Sequence, residues 1–400
     1  MKIAITAFEA TPKAATEAGL AWNWALAYLS KGHAVTVFTA TPQSDQELTM
    51  WNDTGIELVV KSAASASTGI PTKPSHFLFR AWHYSRWIQF VEKDIAEKND
   101  ELKFDIMHHV SWGSVRLLPP MPAKTNIPLV WGPLGGGHLP TWKGLPRASW
   151  VVEIVRALTF IPGFIRLRMN RKRFGTKDII FCTNRASAKF IQRAIAVKPR
   201  LMFADGLSAI PENTQPLNSS QPSLLWAGRM VASKRPDLAL KLLVEIRARG
   251  VDARLMFAGD GPEKLNLQML AAALGIAGHV SFEGRVPFAE MQQKISKTDF
   301  GLFFSMRDSS APFVLEAASY GKPSLVFRSG GLADFVPSQV AIGPTHYRSE
   351  KEFVAELVQQ ALPLFQSVEA YTEASSKARS FATDQTWGSK VECVLMELNA

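Results

Sequence analysis

The stretch L-L-W-A-G-R-M-V-A-S-K-R (224–235) reads as an apolar strand, a glycine turn and two cations, Arg229 and Lys234. A parallel α/β sheet presents ligands at the carboxyl ends of its strands, and both cations fall just beyond such an end. A guanidinium fork and an ammonium both suit the oxygens of a diphosphate. When a bond to a diphosphate breaks, negative charge grows on it. Two fixed cations there stabilise the transition state more than the ground state. The plainer alternative is a surface Arg and Lys at a helix start.

Four further segments follow in order: M-F-A-G-D-G-P-E (256–263), V-S-F-E-G-R-V (280–286), R-D-S-S-A-P-F-V-L-E-A-A-S-Y-G-K-P (307–323) and S-G-G-L-A-D (329–334). The third predicts a helix over Pro312–Tyr320, with proline at its first position and Gly321-Lys322-Pro323 as its stop. Such a helix start offers unpaired amides to phosphates. Glu316 lies one turn in, among Phe313, Val314, Leu315, Ala317 and Ala318, where a carboxylate is costly unless it has partners. Its other reading is an acid placed at the helix dipole.

Together these segments resemble the C-terminal domain of the retaining glycosyltransferases of family 4. Gly228, Arg229 and Lys234 match the family's G-R-x4-K; Gly259 to Pro262 match G-D-G-P; Asp308 and Glu316 match E-x7-E, with Asp in place of the first Glu. The resemblance implies an α/β GT-B fold, two Rossmann-like doubly wound domains facing across a cleft. It implies that Arg229 and Lys234 hold the leaving diphosphate and that Glu316 accepts from the ribose hydroxyls. Asp308 would meet the donor sugar with a side chain one methylene shorter than usual. Gly284, Arg285 and Val286 would wall the nucleobase, with Gly228, Gly259 and Pro312 also at the nucleotide. Retention of anomeric configuration and no cofactor or metal are further implications.

The N-terminal half opens as a βαβ unit: a strand from Lys2 to Phe8, a helix Ala18–Ser30 and a strand Val35–Thr39. Its first turn, E-A-T-P-K-A-A-T-E-A-G-L-A-W (9–22), resembles a Glu-x-Gly…Trp form of the same enzymes. The resemblance puts Glu17 and Gly19 at the sugar and acceptor cleft; Trp22 and Trp24 read as packing residues. F-D-I-M-H-H-V-S-W-G-S (104–114) ends a strand in a histidine pair, where family members place a histidine near the donor sugar. Alternation sends His108 and His109 to opposite sides, and His109, nearer the loop, is the expected catalytic one. P-L-V-W-G-P-L-G-G-G-H-L-P (128–140) resembles a segment of bacterial enzymes of surface-polysaccharide assembly. Gly135, Gly136 and Gly137 would bring backbone amides to a polar ligand there. Zinc-ligand spacing and Asp-x-Asp are both missing from the sequence.

Four hundred residues suggest two domains. The expected division is 1–210, a linker 211–222 rich in Pro, Asn, Ser and Gln, and 223–380, with a last helix 381–398 returning to the first domain. Two distant cysteines, Cys182 and Cys393, fit a reducing compartment. With no leader pattern at Met1 and no apolar run of about 18 residues, a cytoplasmic protein is expected. Charge is uneven: residues 1–200 hold 26 Lys+Arg against 14 Asp+Glu, whereas 201–400 hold 19 against 21. The excess peaks at F-I-R-L-R-M-N-R-K-R-F (164–174), beside an apolar run over 148–162. That pairing suits an anionic inner leaflet or a lipid-diphosphate acceptor, and equally a solvated helix face. No groove-reading motif accompanies it, which argues against nucleic acid.

The expected activity is transfer of a hexose from a nucleoside-diphosphate sugar to a hydroxyl of a lipid-linked or growing glycan, at the inner face of the plasma membrane. A nucleotide-sugar epimerase or a phosphorylase of the same fold is one alternative. A catalytically weak relative that binds nucleotide sugar or scaffolds an assembly complex is another.

Overall fold

The computed structural model describes residues 1–14, 17–61, 77–122, 125–195, 197–212, 217, 220–308 and 310–399. Ala15 and Thr16 of the first loop, Ser309, and half of the expected linker lie outside the described residues. Two compact units are present, 1–137 with 160–202 and 387–400, and 138–159 with 203–386. Elements are numbered along the chain.

The first unit is a seven-stranded, wholly parallel sheet of β1 (Lys2–Ala7), β2 (Ala34–Thr39), β3 (Glu57–Val60), β4 (Ile106–Ser111), β5 (Leu129–Leu134), β6 (Ile179–Cys182) and β7 (Arg200–Leu201). Its order is β3-β2-β1-β4-β5-β6-β7, so the chain reverses direction between β1 and β4. Helices α1 (Leu20–Ser30), α2 (Asp45–Thr54), α3 (Phe77–Leu102), α5 (Phe160–Met169), α6 (Arg185–Ile195) and α14 (Trp387–Leu398) belong to it. A parallel sheet covered on both faces needs strands that are apolar throughout; accordingly β1 and β2 are buried at every position after the first. Trp22 and Trp24 are core residues, and Trp24 meets Trp387 of α14 at 5.6 Å between ring centroids.

The second unit repeats the plan with β8 (Ser223–Ala227), β9 (Arg254–Ala258), β10 (Val280–Gly284), β11 (Phe300–Phe303), β12 (Ser324–Val326) and β13 (Ala341–Ile342), in the order β10-β9-β8-β11-β12-β13, again all parallel. Its helices are α4 (Trp150–Leu158), α7 (Asp237–Arg247), α8 (Lys264–Ala273), α9 (Phe288–Lys297), α10 (Pro312–Ser319), α11 (Gly331–Phe335), α12 (Glu350–Gln366) and α13 (Val368–Asp384).

The boundaries differ from those drawn on the sequence. The second unit starts at Phe203, whose ring packs on Phe335 and Phe381, and it keeps Phe381. The chain re-enters the first unit only at Trp387. Residues 138–159, expected in the first domain, belong to the second. Leu145 is part of that unit's core, and the Thr141 amide donates to Met306 O at 3.0 Å. A side chain at Gly144 would lie 2.3 Å from the Met306 sulfur. Among the described residues no helix is long and apolar enough to cross a membrane.

Candidate functional site

Three glycine turns interlock at the carboxyl ends of β8, β9 and β10. The Gly228 amide donates to Ala258 O at 2.9 Å, the Gly259 amide to Gly284 O at 2.7 Å and the Met230 amide to Asp260 O at 2.9 Å. Gly228 and Gly259 have φ of 142° and 141°, and a Cβ on Gly259 would sit 1.8 Å from Gly228 O. Glycine is thus required for the turns to close on one another. The match to G-R-x4-K and G-D-G-P is first a packing requirement, and it leaves the Arg229 side chain exposed.

Lys234 ends a short turn over Ala232–Lys234, and its ammonium lies 3.6 Å from an Asp308 oxygen, both side chains about a quarter exposed (27% each). Asp308 follows β11, where its amide donates to Ser305 Oγ at 3.1 Å and the Met306 amide donates to Ser233 O at 3.0 Å. The shorter acid therefore still reaches the lysine. Arg235, next in sequence, takes the left-handed conformation (φ 46°) and is buried. Its guanidinium donates to both Asp237 oxygens (2.8 Å each), to Glu350 at 2.7 Å, to Tyr347 Oη at 2.9 Å and to Gly144 O at 2.7 Å. A fork satisfied on all sides fixes the turn that carries Lys234.

Glu316 sits in α10, which begins with Pro312 and has no side-chain cap. Burial, and then the negative charge of Asp205, push the Glu316 carboxyl up to about 7. Val286, half-buried, shares an apolar cluster with Phe313 and Ala317 of α10 and with Tyr320, while Arg285 is exposed. One cluster thereby joins the turn after β10 to the helix that carries Glu316. Arg229, Lys234, Asp308, Glu316, Gly228, Gly259, Arg285, Val286 and Pro312 all belong to the second unit. Among the described residues no group of three His, Cys, Asp or Glu is placed to hold a metal ion.

The first-unit residues differ more from expectation. His108 and His109 are both fully buried, so neither ring is presented to a ligand. His108 Nε2 must donate to Gly132 O (3.0 Å), because a carbonyl only accepts; Nδ1 then accepts from Tyr28 Oη at 3.0 Å. The Tyr84 hydroxyl gives its proton to Leu118 O at 2.8 Å, so it accepts from His109 Nε2 at 2.9 Å, and Thr6 Oγ donates to His109 Nδ1 at 2.9 Å. Burial holds the two imidazoles down to about 4 and about 3. Alternation did send the rings to opposite faces, but helices cover both faces of β4: Tyr28 of α1 meets one ring and Tyr84 of α3 the other. The catalytic role expected of His109 is therefore withdrawn.

Gly135 and Gly137 spend their amides internally, on Gly113 O (2.7 Å) and Ser187 Oγ (3.0 Å), and Arg116 donates to Gly136 O at 3.0 Å. A Cβ on Gly137 would be 2.4 Å from Ser187 Cα. Close packing thus accounts for Gly137, and a left-handed backbone (φ 77°) for Gly136. Glu17 accepts from the Gly113 amide at 3.0 Å, tying the first loop to the turn after β4, and a Cβ on Gly19 would lie 1.9 Å from Ala14 O, so Gly19 lets the first loop close on itself.

Sequence reasoning missed three residues. His138 donates from Nε2 to Arg307 O at 2.6 Å, and Glu153 accepts from Arg307 at 3.1 Å, so both brace the loop that carries Asp308. Asp205 acts on Glu316 through its charge. Glu153 and Asp205 stand in no motif, His138 follows the three glycines of the 128–140 segment, and each meets its partner across a long stretch of chain.

Residues 211–377 match the family model for glycosyl transferases group 1, less than half of the chain. The second unit resembles a group 1 glycosyl transferase domain. The chain is 31% identical over 212 residues to the GDP-mannose-dependent alpha-(1-6)-phosphatidylinositol monomannoside mannosyltransferase of Mycolicibacterium smegmatis, covering 50% of this chain and 52% of that protein. It is 28% identical over 141 residues to the N-acetyl-alpha-D-glucosaminyl L-malate synthase of Bacillus anthracis, covering 35% of each. The chain thus spans about half or less of the length of these curated relatives. Over nearly its full length it superposes on a glycosyltransferase from Rickettsia africae ESF-5 with a TM-score of 0.66 at 12% identity, covering 99% of this chain and 97% of that one. The fold, two parallel-sheet Rossmann-like domains, is of the GT-B type.

Proposed function

We propose that this protein is a glycosyltransferase that moves a hexosyl group from a nucleoside-diphosphate sugar to a hydroxyl of a lipid-linked or growing glycan in surface-polysaccharide biosynthesis, with retention of configuration. The observation that carries the reading is the 3.6 Å approach of Lys234 and Asp308 at the strand ends of the unit that also holds Arg229 and Glu316. Arg229 and Lys234 take the diphosphate, while Glu316 accepts from the ribose hydroxyls and Val286 borders the base. Asp308 serves the donor sugar and, until a phosphate arrives, holds Lys234 in place. As the bond from the anomeric carbon to the diphosphate oxygen breaks, its electron pair goes to the diphosphate. The acceptor hydroxyl attacks the anomeric carbon from the same face and passes its proton to a diphosphate oxygen. No side chain has to act as a strong base, in keeping with the buried state of His109, and no metal is required. The mannosyltransferase relative, whose name joins a nucleotide sugar to a phosphatidylinositol acceptor, supports a donor and a lipid acceptor of these kinds. We place the reaction at the inner face of the plasma membrane.

The test is release of nucleoside diphosphate from UDP-, GDP- and ADP-hexoses in the presence of lipid-linked glycan extracted from the source membranes. Lys234→Ala and Arg229→Ala should each lower turnover at least about a hundredfold, the size of effect seen when a transition-state donor is removed, with melting temperature unchanged. Near-normal turnover in both purified variants would sink the assignment.

A further inference from the structure

Helix α4 is built inside out. Of its nine residues, W-V-V-E-I-V-R-A-L, the acid is the buried one: Glu153 is 4% exposed and pairs with Arg307 and Arg156 at 3.1 and 3.2 Å. The large apolar residues face outwards. Val151 is 70% exposed, Leu158 60%, Val155 58% and Val152 54%, with Ile154 and Trp150 also exposed. Scattered apolar residues on a surface need no explanation, but a contiguous outward face of six does. Among the described residues nothing in the helix's own unit covers it, and the ion pairs of Glu153 hold the face outwards.

The charge around this face has one sign. Within the helix's own unit, from His138 to Thr159, the chain carries Lys143, Arg147 and Arg156 and a single acid, the buried Glu153. Lys143 and Arg147 are exposed just ahead of α4. Apolar residues flanked by cations fit an anionic bilayer, where the helix lies in the interface plane. A second copy of the chain would bring the same cations against themselves, which disfavours a self-complementary interface.

We propose that α4 is a membrane-docking helix that inserts its outward apolar face into an anionic bilayer, with the flanking cations drawn to lipid headgroups. This sharpens the sequence expectation, which paired the basic segment 164–174 with the apolar run 148–162: the outward face of α4 enters the lipid and the cations select its charge. The inference stands apart from the donor-site reading, because its measurement contains no nucleotide.

The experiment is flotation of the full chain with vesicles of phosphatidylcholine alone and of phosphatidylcholine with phosphatidylglycerol. The wild type should float with the anionic vesicles and not with the neutral ones. The triple variant Val151→Ser, Val155→Ser, Leu158→Ser changes no charge, so it tests insertion separately from attraction. Its binding to anionic vesicles should fall at least about tenfold, with circular dichroism and melting unchanged because these side chains are exposed. Brominated lipid should quench the wild type more than Trp150→Phe, which places residue 150 in the bilayer. Equal binding by the triple variant, equal flotation with neutral vesicles, or a dimer that the triple variant abolishes without any vesicle binding would each overturn the proposal.

Discussion

Nucleotide affinity should depend on pH through Glu316. With the site empty, burial and the Asp205 charge hold this carboxyl at about 7 instead of the ordinary 4.5. Two ribose hydroxyls donating to it favour the charged form and draw its pKa down. Only the ionised form offers that contact in full, and its share in the free protein is about a tenth at pH 6 and about nine-tenths at pH 8. Affinity should thus rise about tenfold from pH 6 to pH 8 and flatten above about pH 7. Titration calorimetry with UDP, GDP and ADP, in two buffers of different ionisation enthalpy, counts the protons. About one should be released on binding at pH 6 and almost none at pH 8. Glu316→Gln controls for titration of the nucleotide itself, and the difference between wild type and variant is the signal. The same group has a stability signature of fixed sign. Its folded pKa is raised, so its contribution is full below the ordinary carboxylate pKa and is lost as pH rises through about 7. Each tenfold change in the ionisation equilibrium is worth about 1.4 kcal/mol, so the loss at pH 8 approaches about 3 kcal/mol. Glu316→Gln should therefore melt higher than wild type at pH 8 while binding nucleotide worse. An identical pH slope and proton count in wild type and variant would refute the reasoning.

Two further outcomes follow from buried groups. Arg235→Ala leaves Asp237, Glu350 and Gly144 O without their shared donor and should destabilise by about 3–5 kcal/mol, read by urea unfolding; a loss below about 1 kcal/mol would show that the network does not fix the Lys234 turn. Burial holds His108 at about 4, so its stabilising contribution is full above the ordinary 6.5 and is lost as pH falls from there, by about 2 kcal/mol at pH 5. Calorimetric melting at pH 8 and pH 5 should show a steeper acid loss in wild type than in His108→Gln, and equal losses would count against it.

The second sheet was legible because its signals are local. Each strand is followed within a few residues by the glycine or cation that its turn requires, so Gly228, Gly259, Lys234 and Glu316 stand in one reading frame with the elements that place them. The third motif departs from the family's pattern at Asp308. Asp308 gives up one methylene, yet Ser305 and Ser233 bind the loop close enough for a 3.6 Å approach to Lys234. The histidine pair was misread because strand alternation says which face a side chain takes and nothing about what covers that face. Tyr28 and Tyr84 reach His108 and His109 from residues 80 and 25 positions away in sequence. Arg235 in a left-handed conformation was likewise invisible, since its partners at 144, 347 and 350 come from distant segments.

The excursion of residues 138–159 into the second unit changes how the site is understood. His138, Thr141 and Glu153 bind Arg307 O, Met306 O and the Arg307 side chain, and Gly144 O accepts from Arg235. The loop that presents Asp308 and the turn that presents Lys234 are therefore both held by chain that precedes β6, upstream of every motif of the second unit. Glu153 has two tasks at once. It neutralises Arg307 next to Asp308, and it is the buried side of the helix whose other side is apolar and exposed. The buried side of α4 thus meets, through one carboxylate and one guanidinium, the residue adjoining Asp308.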